Sequence, residues 1–315
     1  MTDISAFANR LGKNAKHLMK WARRHNLEAW RLYDKDIPQF PFAVDVYGAH
    51  IHLQEYDTGW LMQAEEYEAW LAEVVAAVCF VSGFDAGQVH IKRRERQKGR
   101  EQYEKTGRQG EDFYIGEHGR RFWVNLDKYL DTGLFLDHRN TRQQVGNLAA
   151  GKRFLNLFAY TGSFTVYAAT GGAVYSETVD LSNTYLDWAA RNFALNHIDT
   201  HAHQIVRADV FQYLQQAAAA GKQFDLVVMD PPSFSNSKKM LDILDVQRDH
   251  IRLIDGAMRL LAPGGTLFFS NNRRGFVLDE TLPERYAVRD ISRQSVPEDF
   301  RNKKIHQCWQ IGHRV

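Results

Sequence analysis

Cysteine is nearly missing from this sequence: 315 residues hold only Cys79 and Cys308. The two stand far apart in apolar surroundings, which leaves no disulfide framework and no zinc-type spacing and fits a reducing cytoplasm. No apolar run is long enough to cross a bilayer. The start, MTDISAFANRLGKNAKHLMKW, lacks the apolar core of a signal peptide. Charge of one sign is missing in two places. Ala6 to Asn26 carries six Lys/Arg and no acid, whereas Glu55 to Asp85 is acidic with no Lys or Arg. The net charge of +2 hides this segregation. His90 to Arg108 adds eight Lys/Arg against three Glu, and the tail adds Lys303, Lys304 and Arg314. Basic blocks broken by an acidic stretch point to a polyanionic partner; solvated charged faces are the ordinary alternative.

The length suggests two domains, and the patterning changes character midway. Leu11, Ala15, Leu18 and Ala22 recur at helical spacing, with Arg10, Lys13, Lys16, Lys20 and Arg23 on another face. That predicts a core-packed helix over 7–24 with a basic outer stripe. Short strands follow, then a helix over Met62–Phe80, a strand at QVHIKRR, and a hairpin turned at Glu117-His118-Gly119. These elements predict an α+β domain over residues 1–130. From Lys152 onward strand and helix alternate: RFLNLFAY, AVYSETVD, QIVRAD, FDLVVMD and GGTLFFSN are strands, each of the first four followed by a helix. Such alternation predicts a doubly wound, mostly parallel sheet over residues 131–315. YAVRDISRQ and KIHQCWQIG, with no long helix between them, predict a closing antiparallel hairpin.

In open α/β sheets ligands bind beyond the carboxyl ends of the strands. Those ends read Phe158-Ala-Tyr-Thr-Gly162, Asp180-Leu-Ser, Asp209-Val, Asp230-Pro-Pro-Ser-Phe and Ser270-Asn-Asn. Gly162 allows close approach to a turn, and Asp180 is placed to take both hydroxyls of a ribose. The dinucleotide fingerprint G-x-G-x-x-G is absent, since the glycine after Gly162 is Gly171. A pyrophosphate would lack its cradle, so an adenosine ligand without phosphates, such as S-adenosylmethionine, fits better than NAD. The double proline holds Asp230 extended, with acceptors facing the site. Any one of these aspartates is commonly a cap or turn former; three in register argue for a site. His197, His201 and His203 fall in a helix-to-strand connection and read as solvated loop histidines rather than metal ligands.

LNLFAYTGSFTV, TVDLS, RADVF and DPPSF together resemble the class I S-adenosylmethionine-dependent methyltransferases. More narrowly, LFLDHRNTR, SFSNSKKM, DVQRDH, FSNNRRGF and RNKKIHQCW are similar to the guanine-N7 half of the bifunctional 23S rRNA guanine methyltransferase. That likeness covers nearly the whole chain. It implies an α/β, Rossmann-like catalytic domain with S-adenosyl-L-methionine as cofactor. The implied cofactor residues are Asn156, Phe158, Tyr160, Thr161 and Gly162; Asp180 and Leu181 at the ribose; Asp209 and Val210 at the adenine; and Asp230 at the methionine end, with Asp137 and Arg139 bordering it. Asp230, Pro231, Pro232 and Phe234 form the implied catalytic group. The implied target is N7 of a guanine in 23S rRNA or the assembling large ribosomal subunit, with neither membrane nor metal involved. The guanine-N2 half of the bifunctional enzyme does not occur in this sequence. RNA capture is therefore expected from the chain's own basic blocks or from a separate RNA-binding guanine-N2 methyltransferase.

Relatives that methylate C5 of cytosine need a cysteine nucleophile after the fifth strand, because carbon offers no usable lone pair. Here that position reads Ser270-Asn271-Asn272, and Cys308 lies in a strand. Guanine N7 presents a lone pair, whereas the exocyclic N2 must lose a proton; the Asp-Pro-Pro motif alone leaves both open. The base must be unpaired or flipped to be reached. Phe234 is a candidate stacking platform and equally a loop anchor. Lys92, Arg93, Arg94 and Arg96 in the basic segment, and Lys238, Lys239, Arg273 and Arg274 near the site, are candidate phosphate contacts. A non-catalytic RNA-binding assembly factor that keeps the fold is the rival of another class.

Overall fold

The computed structural model describes residues 3–59, 62–94, 110–235 and 244–314. The chain divides into two compact units. The first comprises residues 1–132 with 298–302, and the second residues 133–297 with 303–315.

The first unit opens with helix α1 (Ile4–Arg24), capped by the Asp3 carboxylate on the Ser5 amide. Its apolar stripe Phe7, Leu11, Ala15, Leu18, Trp21 and Ala22 is buried. Strands β1 (Ala29–Asp34), β2 (Phe42–Tyr47) and β3 (His50–Tyr56) form an antiparallel meander. Helix α2 (Ala64–Ser82) then carries the chain back so that β4 (Val89–Arg94) lies parallel to β3, the kind of crossover a parallel pair requires. Strands β5 (Phe113–Glu117) and β6 (Arg120–Val124) form the expected hairpin. His118 and Gly119 both take positive φ, 49° and 79°, the backbone of a tight primed turn. Residues 298–302 return to this unit. Asp299 accepts from the Arg31 amide at 2.8 Å, and the Arg31 guanidinium, buried between Asp34 and Asp45, lies over the Phe300 ring.

The second unit alternates as the sequence predicts. In order come α3 (Arg139–Leu148), β7 (Arg153–Leu157), α4 (Ser163–Thr170), β8 (Tyr175–Asp180), α5 (Asn183–Leu195), β9 (His203–Arg207), α6 (Val210–Ala219) and β10 (Phe224–Met229). A short antiparallel pair, β11 (Phe234–Ser235) and β12 (Leu244–Asp245), precedes α7 (Val246–Leu260) and β13 (Leu261–Asn271). Then follow α8 (Leu282–Arg285), β14 (Tyr286–Asp290), α9 (Ser292–Ser295) and β15 (Gln307–His313). The sheet order is β14-β15-β13-β10-β7-β8-β9. The pairs from β13 to β9 are parallel, and β15 is inserted antiparallel between β13 and β14. The chain starts in the middle at β7, moves outward to β9, then returns to the other side at β10. The order therefore reverses between β7 and β10, the switch point beside which ligands bind in sheets of this kind.

Strand alternation sorts the core onto two faces. Leu155, Leu157, Val227, Met229, Leu267 and Phe269 pack with α6 and α7; Phe154, Leu226, Val228, Phe268 and Cys308 pack with α3 and α4. The second face is tight. A Cβ on Gly171 would come within 2.2 Å of the Gly146 carbonyl oxygen, so α3 and α4 meet backbone to backbone.

Candidate functional site

The loop leaving β7 is held in an uncommon backbone shape. Phe158, Tyr160 and Gly162 all have positive φ, at 56°, 52° and 72°. A non-glycine residue keeps such a conformation only where its surroundings over-determine it. Here they do. The Ala159 amide donates to Val179 O at 3.0 Å, the Tyr160 amide to Asp180 Oδ2 at 2.9 Å, and Thr161 Oγ1 to Gly133 O at 2.7 Å. The Asn192 side chain donates through Nδ2 to Thr161 O at 2.9 Å. Gly162 is needed for a further reason: a Cβ would approach Ala189 and Phe193 of α5 to 3.0 and 3.1 Å. Its lack of a side chain therefore serves the packing of the loop against α5.

Three carboxylates follow the strand ends. Asp180, at the end of β8, accepts from the Tyr160 and Ser182 amides, both at 2.9 Å. Burial pushes its carboxyl above the usual range, against the pull of these backbone donors. Asp209 caps α6, with Oδ1 accepting from the Phe211 and Gln212 amides at 2.9 and 3.1 Å; Oδ2 takes no part in the cap. Asp230, after β10, accepts from Ser270 Oγ at 2.7 Å on Oδ1, while His138 Nε2 lies 3.3 Å from Oδ2.

Around Asp230 the fold assembles a network that sequence reasoning missed. The His138 and His306 rings stack with centroids 4.4 Å apart and planes within 8°. His306 bonds Asp137 Oδ2 through Nδ1 and Ser295 Oγ through Nε2, both at 2.8 Å. Both rings are buried. Burial lowers the basicity of His138, although Asp230 and Asp137 oppose it. Donor atoms of Asp137, His138 and His306 lie within 4.8 Å of one another. Both His306 nitrogens are already bonded, however, and the parallel rings do not aim their lone pairs at one point. The group reads as a hydrogen-bonded network of which Asp137 is a member.

The other sequence-predicted residues are held within the fold in various ways. Asn156 is buried and donates to Thr165 Oγ1 at 3.0 Å, which in turn meets Thr178, so it ties the sheet to α4. Thr161 is fully buried by its bonds in the β7 loop. Arg139 is also buried, at the start of α3. Phe158 packs partly buried against the core, Leu181 is half-buried, and Val210 is buried in the first turn of α6. Pro231 is buried and Pro232 half-buried beside Asp230. Lys92 is not a phosphate contact: it is buried, with Nζ donating to the carbonyls of Tyr129 and Leu130. Arg93 is exposed, 3.9 Å from Glu55. Arg273 pairs with Asp245 instead of projecting freely, whereas Arg274 is exposed. The side chains of Arg94 and Phe234, and residues Arg96, Lys238 and Lys239, lie outside the described residues. His203 is no loop histidine. It opens β9, buried, with Nδ1 2.9 Å from Ser176 Oγ; His197 and His201 are exposed as expected.

Residues 63–306 match the S-adenosylmethionine-dependent methyltransferase family. The chain is 76% identical over 314 residues to ribosomal RNA large subunit methyltransferase K of Neisseria meningitidis serogroup B, covering all of this chain and 89% of that protein. It is 52% identical over 309 residues to ribosomal RNA large subunit methyltransferase K/L of Chromohalobacter salexigens, covering 98% of this chain but only 42% of the relative. Among solved structures, a methyltransferase in complex with SAH superposes with a TM-score of 0.79 at 26% identity, covering 99% of this chain and 82% of the other. A SAM-dependent methyltransferase from Streptococcus mutans gives 0.77 at 25% identity, covering 99% of this chain and 82% of the other.

The residues present fit the cofactor these matches bring. S-Adenosylmethionine offers hydrogen-bond donors at its ribose hydroxyls and adenine amine. The strand ends answer with carboxylate acceptors whose capacity is only partly used by the backbone. The fold is that of class I methyltransferases, and the chain belongs to the S-adenosylmethionine-dependent methyltransferases and, within them, to the ribosomal RNA large subunit methyltransferase K family.

Proposed function

We propose that this protein transfers a methyl group to N7 of a guanine in 23S rRNA. The observation that carries the choice of atom is the state of Asp230. Its Oδ1 already accepts from Ser270, and its Oδ2 faces His138. A carboxylate held on one oxygen by Ser270 and facing an imidazole with the other is well placed to act as a fixed negative charge, the contribution that N7 methylation calls for. Guanine N7 has no proton to lose, so the site needs alignment and electrostatics but no general base. Cytosine C5 chemistry is disfavoured. β13 ends in Ser270-Asn271 with Asn272 following, and Cys308 is wholly buried with its thiol pushed up by burial, the reverse of an activated nucleophile.

S-Adenosylmethionine supplies an electrophilic methyl group on a sulfonium centre. In this reading Asp180 holds the ribose hydroxyls, Asp209 Oδ2 accepts from the adenine amine, and the Tyr160 loop walls the site. Asp230 balances the positive charge that N7 methylation leaves on the ring. RNA engages the first unit through the exposed side of α1, where Lys13, Lys16, Lys20 and Arg23 make no ion pair among the described residues.

The test is methyl transfer from labelled cofactor to unmodified, protein-free 23S rRNA, followed by nucleoside mass spectrometry. 7-Methylguanosine is the expected product. N2-Methylguanosine would move Asp230 to an amine-orienting role, and 5-methylcytidine would overturn the argument from the missing nucleophile. A protein that binds cofactor yet methylates neither naked rRNA nor an assembling subunit would revive the assembly-factor reading.

A further inference from the structure

We propose that His138 is a positioning residue which, together with Ser270, clamps the Asp230 carboxylate at the methyl-transfer centre. The inference rests on the reading that Asp230 stands where methyl donor and acceptor meet.

The clamp has two jaws. Ser270 Oγ donates to Asp230 Oδ1 at 2.7 Å, and His138 Nε2 stands 3.3 Å from Oδ2. A carboxylate only accepts, so the proton of a neutral His138 sits on Nε2. That leaves Nδ1 as a bare lone pair, and Nδ1 is buried with no hydrogen-bond partner. An orphaned buried acceptor is unfavourable, and such groups call for an explanation. An apolar ring would fill the same space without that penalty. Only the donor at Nε2 distinguishes histidine from such a ring, and the acceptors beside it are Asp230 Oδ2 at 3.3 Å and, farther off, Asp137 Oδ2 at 3.9 Å.

The surroundings fix the ring so that this donor cannot wander. On one face lies His306, parallel at 4.4 Å. Phe164 meets the His138 ring edge-on, with centroids 5.8 Å apart at 65°. His306 is itself immobilised at both nitrogens, by Asp137 and by Ser295. The support therefore runs from α9 through His306, just before β15, and the stacked His138 ring to the end of β10. All of these residues belong to the second unit.

The test compares His138→Leu, His138→Gln and Ser270→Ala in the full chain. It measures kcat for methyl transfer to unmodified rRNA, calorimetric Kd for S-adenosylhomocysteine, and thermal melting. Misplacing a reacting group by about 1 Å can cost roughly a hundredfold, so His138→Leu should lose on that order in kcat, with little change in Kd. His138→Gln, which restores an amide donor near the Nε2 position, should recover most of the loss. A filler of the same space has no reason to discriminate between these two variants. If His138→Leu does not fold, Ser270→Ala and His138→Gln carry the test, with Ser270→Ala expected to slow kcat and His138→Gln to remain active. A wild-type kcat in His138→Leu, or equal losses in folded His138→Leu and His138→Gln, overturns the proposal, as does an unchanged kcat in Ser270→Ala. Asp230→Ala separates the two claims: if it is inactive while the His138 variants behave alike, the clamp is wrong and the reading of Asp230 stands.

Discussion

Asp180, Asp209 and Asp230 could be found from sequence because each follows an apolar strand and precedes a helix start or a proline elbow, a purely local signal. Their hydrogen bonds show why one residue type serves double duty. Asp209 is the N-cap of α6 through Oδ1, and the proposed adenine contact falls to its other oxygen. His138 and His306 carried no such signal. They are 168 positions apart, and only the insertion of β15 beside β13 brings them face to face. Lys92 shows the opposite failure: it belongs to a basic run, but parallel pairing of β4 with β3 turns its side chain inward. Glu177, on β8, allows a sharp test at this scale. Burial alone would raise its pKa, but Lys222, Tyr175 and Tyr213 outweigh that and hold it below the usual range. A depressed carboxylate pKa contributes stability above the unfolded-state value, and the contribution is lost as pH falls through the folded value. Glu177→Gln should therefore cost about 2 kcal/mol at pH 7. The deficit should shrink towards zero below about pH 4. Denaturant melts of both proteins across pH 3 to 8 check this; a pH-independent deficit would contradict it.

At the scale of elements, periodicity was sufficient for most of the fold. The 3.6-residue recurrence of Leu11, Ala15, Leu18 and Ala22 is the buried stripe of α1, and the turn residues of the β5–β6 hairpin take the positive φ that turn demands. The left-handed residues of the β7 loop were beyond such reasoning, since Phe158 and Tyr160 have no local preference for that conformation. Tertiary bonds to Val179, Asp180 and Gly133 impose it. Likewise the close approach of α3 and α4 depends on glycines whose neighbours are far away in sequence. Gly171→Ala puts a methyl group against the Gly146 carbonyl and the Tyr167 carbonyl, neither of which is a flexible side chain. The expected cost is about 1–3 kcal/mol from forced backbone movement. Gly221→Ala is a useful comparison, with open space around it but positive φ. It should act through backbone strain alone, so the helix-packing face, probed by hydrogen exchange in α3 and α4, should loosen only in Gly171→Ala.

At the scale of the whole chain, the alternation of strand and helix from β7 onward made the catalytic fold legible. Of the basic residues that the charge pattern singled out, Lys92 is buried and Arg273 pairs with Asp245, whereas Lys13, Lys16 and Lys20 of α1 are exposed. With Lys92 buried, the exposed stripe of α1 becomes the better candidate for RNA. Changing Lys13, Lys16 and Lys20 to Glu should weaken rRNA binding and flatten the dependence of log K on log salt by about 2–3, the release of roughly three phosphate contacts. Filter binding between 50 and 200 mM salt checks it, and an unchanged slope would place the RNA footprint elsewhere. No helix among the described residues is long and apolar enough to cross a membrane.

The central claim is that Asp230 stands at the point of methyl transfer to a guanine. It is tested most directly by single-turnover reactions of wild type and Asp230→Ala on the same unmodified 23S rRNA, with 7-methylguanosine quantified in each. Wild type should form it. The variant should melt normally and bind S-adenosylhomocysteine, yet react at least a hundredfold more slowly, the scale seen when one electrostatic stabiliser is removed. Formation of 7-methylguanosine by the variant at the wild-type rate would contradict the account.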